Sequence, residues 1–283
     1  MKIGVIGNGF VGKATSILEC KDIELLCYDI NPELCKPKGL EMKDIIESDI
    51  IFISVPTPMN KDGSCHIGIL ESVIKSIREY KDLDDLIVVI RSTVPPGTAD
   101  KLNCYFMPEF LTEKNYINDF KYNKEWIFGL KNKDQDKEFK KGMEKLIDLA
   151  YNNNRIFYDT CKFLPNKDAE MLKLFRNTFL ACKVAFCNEI YEFCNKNDIN
   201  YSRMVNLACN DERIGQSHNK VPGHDGRKGF GGTCFPKDIN ALISFAKENG
   251  TKMNTLEAAW KTNLEVRPEE DWKDLKGRAV SDG

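Results

Sequence analysis

The chain opens on a short apolar run, Lys2 to Ile6, that ends in Gly7-Asn8-Gly9-Phe10-Val11-Gly12. The spacing is G-x-G-x-x-G, set between a strand and a helical pattern that runs to about Cys20. A second apolar run, Glu24 to Tyr28, ends at Asp29, twenty residues beyond Gly9. Gly7 allows a tight turn, Gly9 lets the backbone approach a pyrophosphate, and Gly12 lets helix and strand pack closely. Asp29 suits a ribose 2′-OH and repels a 2′-phosphate, which favours NAD over NADP. A glycine pattern by itself can be a chance turn. The strand before it and the acid at this distance make a dinucleotide-binding fold the expectation.

Further apolar runs continue that pattern. Asp49 to Val55 reads as a buried strand and stops at Pro56-Thr57-Pro58, because proline cannot continue a central strand. Lys61-Asp62-Gly63-Ser64 reads as a surface turn, and Ile67 to Lys81 as a helix. Leu86 to Ile90 is a strand that runs into Arg91-Ser92-Thr93-Val94-Pro95-Pro96-Gly97-Thr98. Loops at the carboxyl ends of such strands are where ligands bind. Asn103 to Met107 is a further strand, followed by Pro108-Glu109-Phe110-Leu111. Trp126 to Leu130 and Arg155 to Tyr158 read as the last strands, separated by a charged helix from about Asp134 to Asn152. Strand and helix alternate throughout, so the expected class is α/β with a parallel sheet.

The character changes near Lys162. Lys167 to Lys196 is one long helical pattern without proline or glycine. Lys173 and Asn177 are four apart and share a face. Ser202 to Cys209, Pro236 to Asn249 and Thr255 to Glu265 read as helices, and Arg213 to Gly232 as a long glycine-containing loop that wraps a ligand or moves. The charged end, Glu269 to Gly283, reads as frayed. This gives a Rossmann-like domain over 1–163 and a helical domain built on the long helix over 164–283.

Composition excludes several classes. A net charge of −2 gives no reason to expect nucleic acid or an anionic membrane surface as partner. No apolar run reaches the length of a membrane span. Eleven cysteines with no C-x-x-C pair, beside only three histidines, argue against a zinc site, and no metal is expected. The odd cysteine count and an N-terminus that enters a strand directly, without a signal peptide, point to thiols in a reducing, cytoplasmic setting.

One cysteine stands apart. Gly229-Phe230-Gly231-Gly232-Thr233-Cys234-Phe235-Pro236-Lys237-Asp238 sets a thiol between a glycine-rich approach and a lysine that can stabilise its thiolate. Asp238 returns to the face of Cys234 if a helix starts at Pro236. A lone cysteine is more often a small buried hydrophobe, so the rest of the chain must supply the case for chemistry.

Taken together, these motifs resemble the nucleotide-sugar 6-dehydrogenases, the UDP-glucose 6-dehydrogenase family. The matching pieces are GNGFVG with Asp29, SVPTP at Ser54 to Pro58, RSTVPPGT at Arg91 to Thr98, PEFL at Pro108 to Leu111, Lys173 with Asn177, RIG at Arg213 to Gly215, and the Cys234 motif. The resemblance implies a four-electron oxidation of a nucleotide-sugar C6 alcohol to the uronic acid, with two NAD⁺. It implies Cys234 as nucleophile, through a thiohemiacetal and a thioester. It implies Lys173 and Asn177 at the C6 oxygen, Asp238 orienting Lys173 or a water, Glu109 as acid/base, and Thr93 on a water or hydroxyl. Gly7 to Gly12, Asp29, Val55, Pro56, Thr57, Ser92, Thr93 and Lys237 would bind the cofactor. Phe110, Leu111, Lys173, Asn177, Arg213, Phe230, Gly231, Gly232 and Cys234 would bind a UDP-sugar, the glycine loop cradling it. Arg213 would reach a neighbour's substrate in a homodimer built on the long helix.

The pattern departs from the family in three places. The third, UDP-binding domain expected after the helix at Thr255 to Glu265 has no counterpart in these residues. The stretch from Asp29 to Asp49 is short, and Thr112 stands where the family often has an arginine. Weaker nucleotide contacts would raise KM. Two other readings stay open here. A short β-hydroxyacid dehydrogenase also pairs a Rossmann domain with a helical one but has no need of the cysteine. A non-catalytic NAD-binding protein would not need Cys234, Lys173, Asn177 and Asp238 together.

Overall fold

A computed structural model of the chain describes residues 1–281. Its packing divides them into two units. The first is Met1–Thr57 with Ile67–Lys173, and the second is Pro58–His66 with Leu174 onward.

In the first unit, strands β1 (Lys2–Ile6), β2 (Glu24–Tyr28), β3 (Ile50–Ile53), β4 (Val88–Ile90), β5 (Tyr105–Phe106), β6 (Trp126–Leu130) and β7 (Cys161–Pro165) form one sheet in the order β2-β1-β3-β4-β5-β6-β7. Helices α1 (Phe10–Thr15), α2 (Met42–Ile46), α3 (Gly68–Arg78), α4 (Thr98–Lys101), α5 (Tyr116–Lys121) and α6 (Asp136–Asn152) belong to the same unit. The strands are short apolar runs because both faces are covered. Ile3, Val5, Leu25, Cys27, Ile50, Phe52 and Val89 join one buried cluster with Phe139 and Met143 of α6. The alternate residues Ile6, Leu26, Ile51, Ile53, Val88 and Ile90 join a second cluster with Leu70, Ile74 and Ile77 of α3. This period of two is the signature of a strand packed on both sides.

Sequence and structure differ at three points. The segment Arg155–Tyr158 is no strand. Asn154 takes φ 57°, the Arg155 Nε donates to Ile17 O and the Phe157 N–H to Lys121 O. The strand that pairs with β6 starts later, in register Trp126–Cys161 through Leu130–Pro165. Its terminal proline is tolerated because β7 lies at the sheet edge. Second, β6 runs antiparallel to β5, so the sheet is mixed. A strand's direction depends on which end of the sheet its connection returns to, and hydrophobic periodicity does not encode that. Third, the charged end is packed as far as it is described. Trp272 and Ala279 are buried, and Ser281 donates its N–H to Met59 O. The last two residues, 282–283, lie outside the described part.

Long helix α7 (Asn166–Lys196) follows β7 with no intervening residue, and its Lys173–Leu174 bond is the boundary between the units. The second unit continues with α8 (Tyr201–Ala208), α9 (Phe235–Glu248) and α10 (Asn254–Val266). Ala181 and Ala185 of α7 pack with Phe230, Ile239 and Ala259, while Cys187 and Cys194 pack with Tyr201 and Val205. The stretch from Arg213 to Gly232 has no regular element, as its glycines and Pro222 predict, yet it is tied down. Lys183 Nζ donates to the carbonyls of Ile214 and Gly215, and the Tyr201 hydroxyl to Asn219 O.

Candidate active site

The cofactor-binding residues predicted after β1 and β3 lie where the strand order reverses, which is the ligand crevice of open α/β sheets. Gly7 turns at φ 93°, and a Cβ there would lie 2.6 Å from Ser54 O. A Cβ on Gly12 would lie 2.0 Å from Gly7 O, so the turn closes only with glycine at both ends. At Gly9 a Cβ would meet nothing within 4 Å, which leaves the backbone beside Asn8 and Phe10 open to a ligand. The Asp29 carboxylate accepts the N–H of Asn8 at 2.7 Å and that of Asn31 at 2.9 Å, one on each oxygen. Each oxygen keeps a lone pair for a ribose hydroxyl. The loops after β3 and β4 are stitched together. Ser92 Oγ donates to Val55 O at 2.6 Å, and Thr57 Oγ1 to Thr93 O at 2.7 Å. Pro56 stands between the two stitched positions. These residues fit a dinucleotide.

The first unit also holds Glu109 and Lys173. Lys173 Nζ lies 2.6 Å from Glu109 Oε1, and both side chains are nearly sealed from solvent at 3% and 5% exposed. The other oxygen of Glu109 accepts the Leu111 N–H at 2.8 Å. The ammonium also sits 5.9 Å from the centre of the Phe110 ring. Lys173 has three donors, so one bond to Glu109 leaves two for a substrate oxygen. Arg91 is buried nearby. Burial draws its guanidinium down to about 10, against the opposing charge of Glu109. Thr112 is held by Asp119, which accepts both its N–H and its hydroxyl.

The second unit holds the thiol. Cys234 is the N-cap residue of α9, with Pro236 in the first turn as expected. Asp238 returns to it as the helix spacing requires, donating its N–H to Cys234 O at 2.9 Å. The carboxylate of Asp238 is 1% exposed and takes two donors, Asn177 Nδ2 at 2.6 Å and Lys237 Nζ at 2.5 Å. Burial by itself would lower the Lys237 amine. The charge of Asp238, then those of Cys234 and Cys65, outweigh it and hold the amine above the ordinary lysine value. A protonated lysine one turn from a thiol at a helix N-terminus favours the thiolate. Two other cysteines differ. Burial pushes the Cys27 and Cys104 thiols up to about 12, so they stay protonated and pack.

The glycine loop has a structural cause that its sequence does not reveal. A Cβ on Gly231 would lie 2.4 Å from the Arg267 guanidinium, and one on Gly229 2.4 Å from Asn263 Oδ1. Arg267 is 2% exposed and bonds Asp225, Asp271 and Lys228 O. Asn263 accepts the Phe230 N–H and donates to its carbonyl. Phe230 is itself buried, packed on Trp260 and Phe235. Thus Gly229 and Gly231 make room for protein atoms. Gly232, with open space beside its Cα, keeps the free face. Arg213 sits on an exposed turn, bonded to Asp211.

Sequence reasoning missed Asn263, Arg267 and Glu170. The i, i+4 pair Arg267–Asp271 was visible, but nothing in it pointed to a loop about forty residues earlier. Glu170 precedes Lys173 by three positions, which places it on the same face.

Residues 40–147 match the UDP-glucose/GDP-mannose dehydrogenase family, NAD binding domain, and residues 167–265 match its central domain. The UDP-glucose 6-dehydrogenase of Rickettsia prowazekii is 30% identical over 95% of this chain and 63% of its own length. That of Rickettsia bellii is 34% identical over 88% of this chain and 57% of its own. The chain thus spans less than two thirds of these curated relatives. Among solved structures, a UDP-glucose dehydrogenase from Pyrobaculum islandicum superposes with a TM-score of 0.78 at 23% identity, over 93% of this chain and 68% of that one. A UDP-D-ManNAc dehydrogenase from Pyrococcus horikoshii gives 0.72 at 24%, over 94% and 69%. At such identities the structures speak for the fold. The two domain matches, in chain order and together covering well over half of the residues, place this chain, with NAD as its cofactor, in the UDP-glucose/GDP-mannose dehydrogenase family.

Proposed function

We propose that this chain is the catalytic part of an NAD-dependent nucleotide-sugar 6-dehydrogenase that oxidises the C6 alcohol of a UDP-sugar to the carboxylate. The observation that supports it most is Cys234, the N-cap residue of a helix whose first turn holds a largely enclosed Lys237, kept protonated by the buried Asp238. NAD⁺, when bound, supplies the hydride acceptor for each of two oxidations. In the first, C6 loses a hydride and its hydroxyl proton and becomes an aldehyde. The Cys234 thiolate then adds to C6, and the oxygen takes a proton to give a thiohemiacetal. Losing a second hydride and that proton turns C6 into a thioester. Water attacks it, the C6–Sγ bond breaks, and the carboxylate leaves with the thiolate restored. The thiol thereby keeps the aldehyde from escaping.

In this reading Lys173 and Asn177 donate to the C6 oxygen as it gains negative charge. Glu109, already bonded to Lys173, accepts the proton of the attacking water. Asp238 holds Asn177 and Lys237 in place. Asp29 and the residues from Gly7 to Thr57 hold the dinucleotide, and Gly232 leaves room for the sugar.

The partner we propose is a second copy of the chain. Phe175, Phe179, Phe186 and Phe193 of α7 are 59%, 60%, 62% and 58% exposed. Spacings of four and seven keep them on one side of the helix. A row of four exposed phenylalanines is a large apolar surface to leave in water. Arg213 stands exposed on its loop, as a residue serving the neighbouring copy would. The cysteines are thiols, which supports a reducing, cytoplasmic setting. No helix among the described residues is long and apolar enough to cross a membrane.

The test is NADH production against a panel of UDP- and GDP-sugars, with the acid product counted. Two NADH per sugar and a C6 carboxylate are expected with one donor. NAD binding without NADH from any donor would leave an NAD-binding protein and overturn the proposal.

A further inference from the structure

Glu170 is wholly buried near the start of α7, and the chemistry above gives it no task. Its Oε2 accepts the Gly97 N–H at 2.5 Å and its Oε1 the Ala99 N–H at 2.8 Å. These amides close the loop that begins at Arg91 and contains Ser92 and Thr93. Lys173 lies three residues further along the helix. Two charged groups face the carboxyl, Asp100 from α4 and Lys167 from α7 itself. Asp100 is held by Asn166 Nδ2 at 2.7 Å. Burial pushes the Glu170 carboxyl up to about 7. The Ala99 and Gly97 amides pull against that rise, Asp100 adds to it and Lys167 opposes it.

We propose that Glu170 is a positioning residue of the dehydrogenase: its ionised carboxylate latches the Arg91–Thr98 loop to the part of the helix that carries Lys173, and protonation loosens the latch. The catalytic half of this proposal rests on the function proposed above. The geometry supplies the reason. A carboxylate offers one acceptor oxygen to each amide. A carboxylic acid turns an O–H toward one of them and leaves a buried donor unpaired. Loop and lysine then lose their fixed spacing, and small displacements of catalytic groups are costly in rate.

Two measurements on the whole chain test it. The first is amide hydrogen exchange at Gly97 and Ala99. In the wild type, protection should fall about tenfold from pH 8 to pH 6, the equivalent of one hydrogen bond. Protection at Ile51 in the sheet should hold. In Glu170→Gln the two amides should be poorly protected at both pH values. The second is the pH profile of kcat for NADH formation. The wild type should lose activity on the acid side of about pH 7. Glu170→Gln should be about tenfold slower at pH 8 and lack that limb. Equal protection at both pH values in the wild type overturns the latch, even if the variant fails to fold. An acid limb unchanged in a folded variant overturns the positioning role. A pH-dependent latch without NADH from any sugar nucleotide overturns the dehydrogenase reading and, with it, the catalytic half, while the latch itself stands.

Discussion

Lys173 and Glu109 are each almost closed off from water, so removing one side chain strands the charge of the other. Stranding a buried charge costs about 3–5 kcal/mol, whereas replacing both partners by neutral groups costs far less. Lys173→Ala should therefore lower stability as well as kcat, the latter by roughly two orders of magnitude. The double variant Lys173→Met with Glu109→Gln should recover most of the stability and none of the rate. Urea unfolding beside steady-state kinetics separates the two effects. At Cys234 the expected outcome is opposite in kind. Cys234→Ser should keep its fold and its NAD affinity and form no uronic acid, which calorimetric titration and product analysis would check. Cys234 and Asp238 stand out in the sequence as a thiol and a carboxylate at helix spacing, whereas Lys173 and Glu109 are singled out through the family resemblance. Glu170 and Arg267 stand out by neither route. Their partners lie 71 to 73 residues away for Glu170 and 39 to 42 for Arg267, and only the folded chain brings them into contact.

Strands and helices were legible where their periodicity was long, as in α7, and at the glycine turn, where the backbone leaves one residue type. They were less so where pairing decided the outcome. Arg155–Tyr158 has the apolar content of a strand. The hydrogen bonds with β6 go instead to Cys161–Pro165, whose proline would exclude it from a central position. The packed end was hidden because its buried apolar residues, Trp272 and Ala279, are few and scattered among charges. Helix α7 carries an element-scale prediction through Glu170, on the part of the helix that belongs to the first unit. Its carboxyl titrates near 7 in the fold and at 4.5 in the ordinary state. The fold then binds the proton more tightly, so this group's stabilising contribution is full below pH 4.5 and is lost as pH rises through 7. The loss amounts to about 3 kcal/mol. Glu170→Gln should lack that slope. Urea midpoints at pH 5 and pH 8 should thus diverge between variant and wild type.

At the scale of the whole molecule, the exposed phenylalanines of α7 make a prediction about assembly. If the proposed homodimer forms in solution, Phe186→Glu should convert it to a monomer in sedimentation experiments and leave the circular dichroism of the chain unchanged, and a monomeric wild type would overturn the proposal. An unaltered dimer would place the interface elsewhere. The chain's path has a different consequence. Pro58–His66 belongs to the second unit, though it is flanked on both sides by residues of the first, and Met59 bridges to Val280. The chain therefore passes from one unit to the other three times. No single peptide-bond cleavage can separate the two units, because even a cut after Lys173, which leaves the first unit whole, keeps Pro58–His66 of the second on the same fragment. A protease that nicks the chain once yields fragments that each carry pieces of a unit whose remainder lies on the other fragment. Dissection into separately expressed halves at Lys173 would part hydrogen bonds of the second unit such as Ser281 N–H to Met59 O, and the second unit would be expected to fold only when the two fragments are mixed.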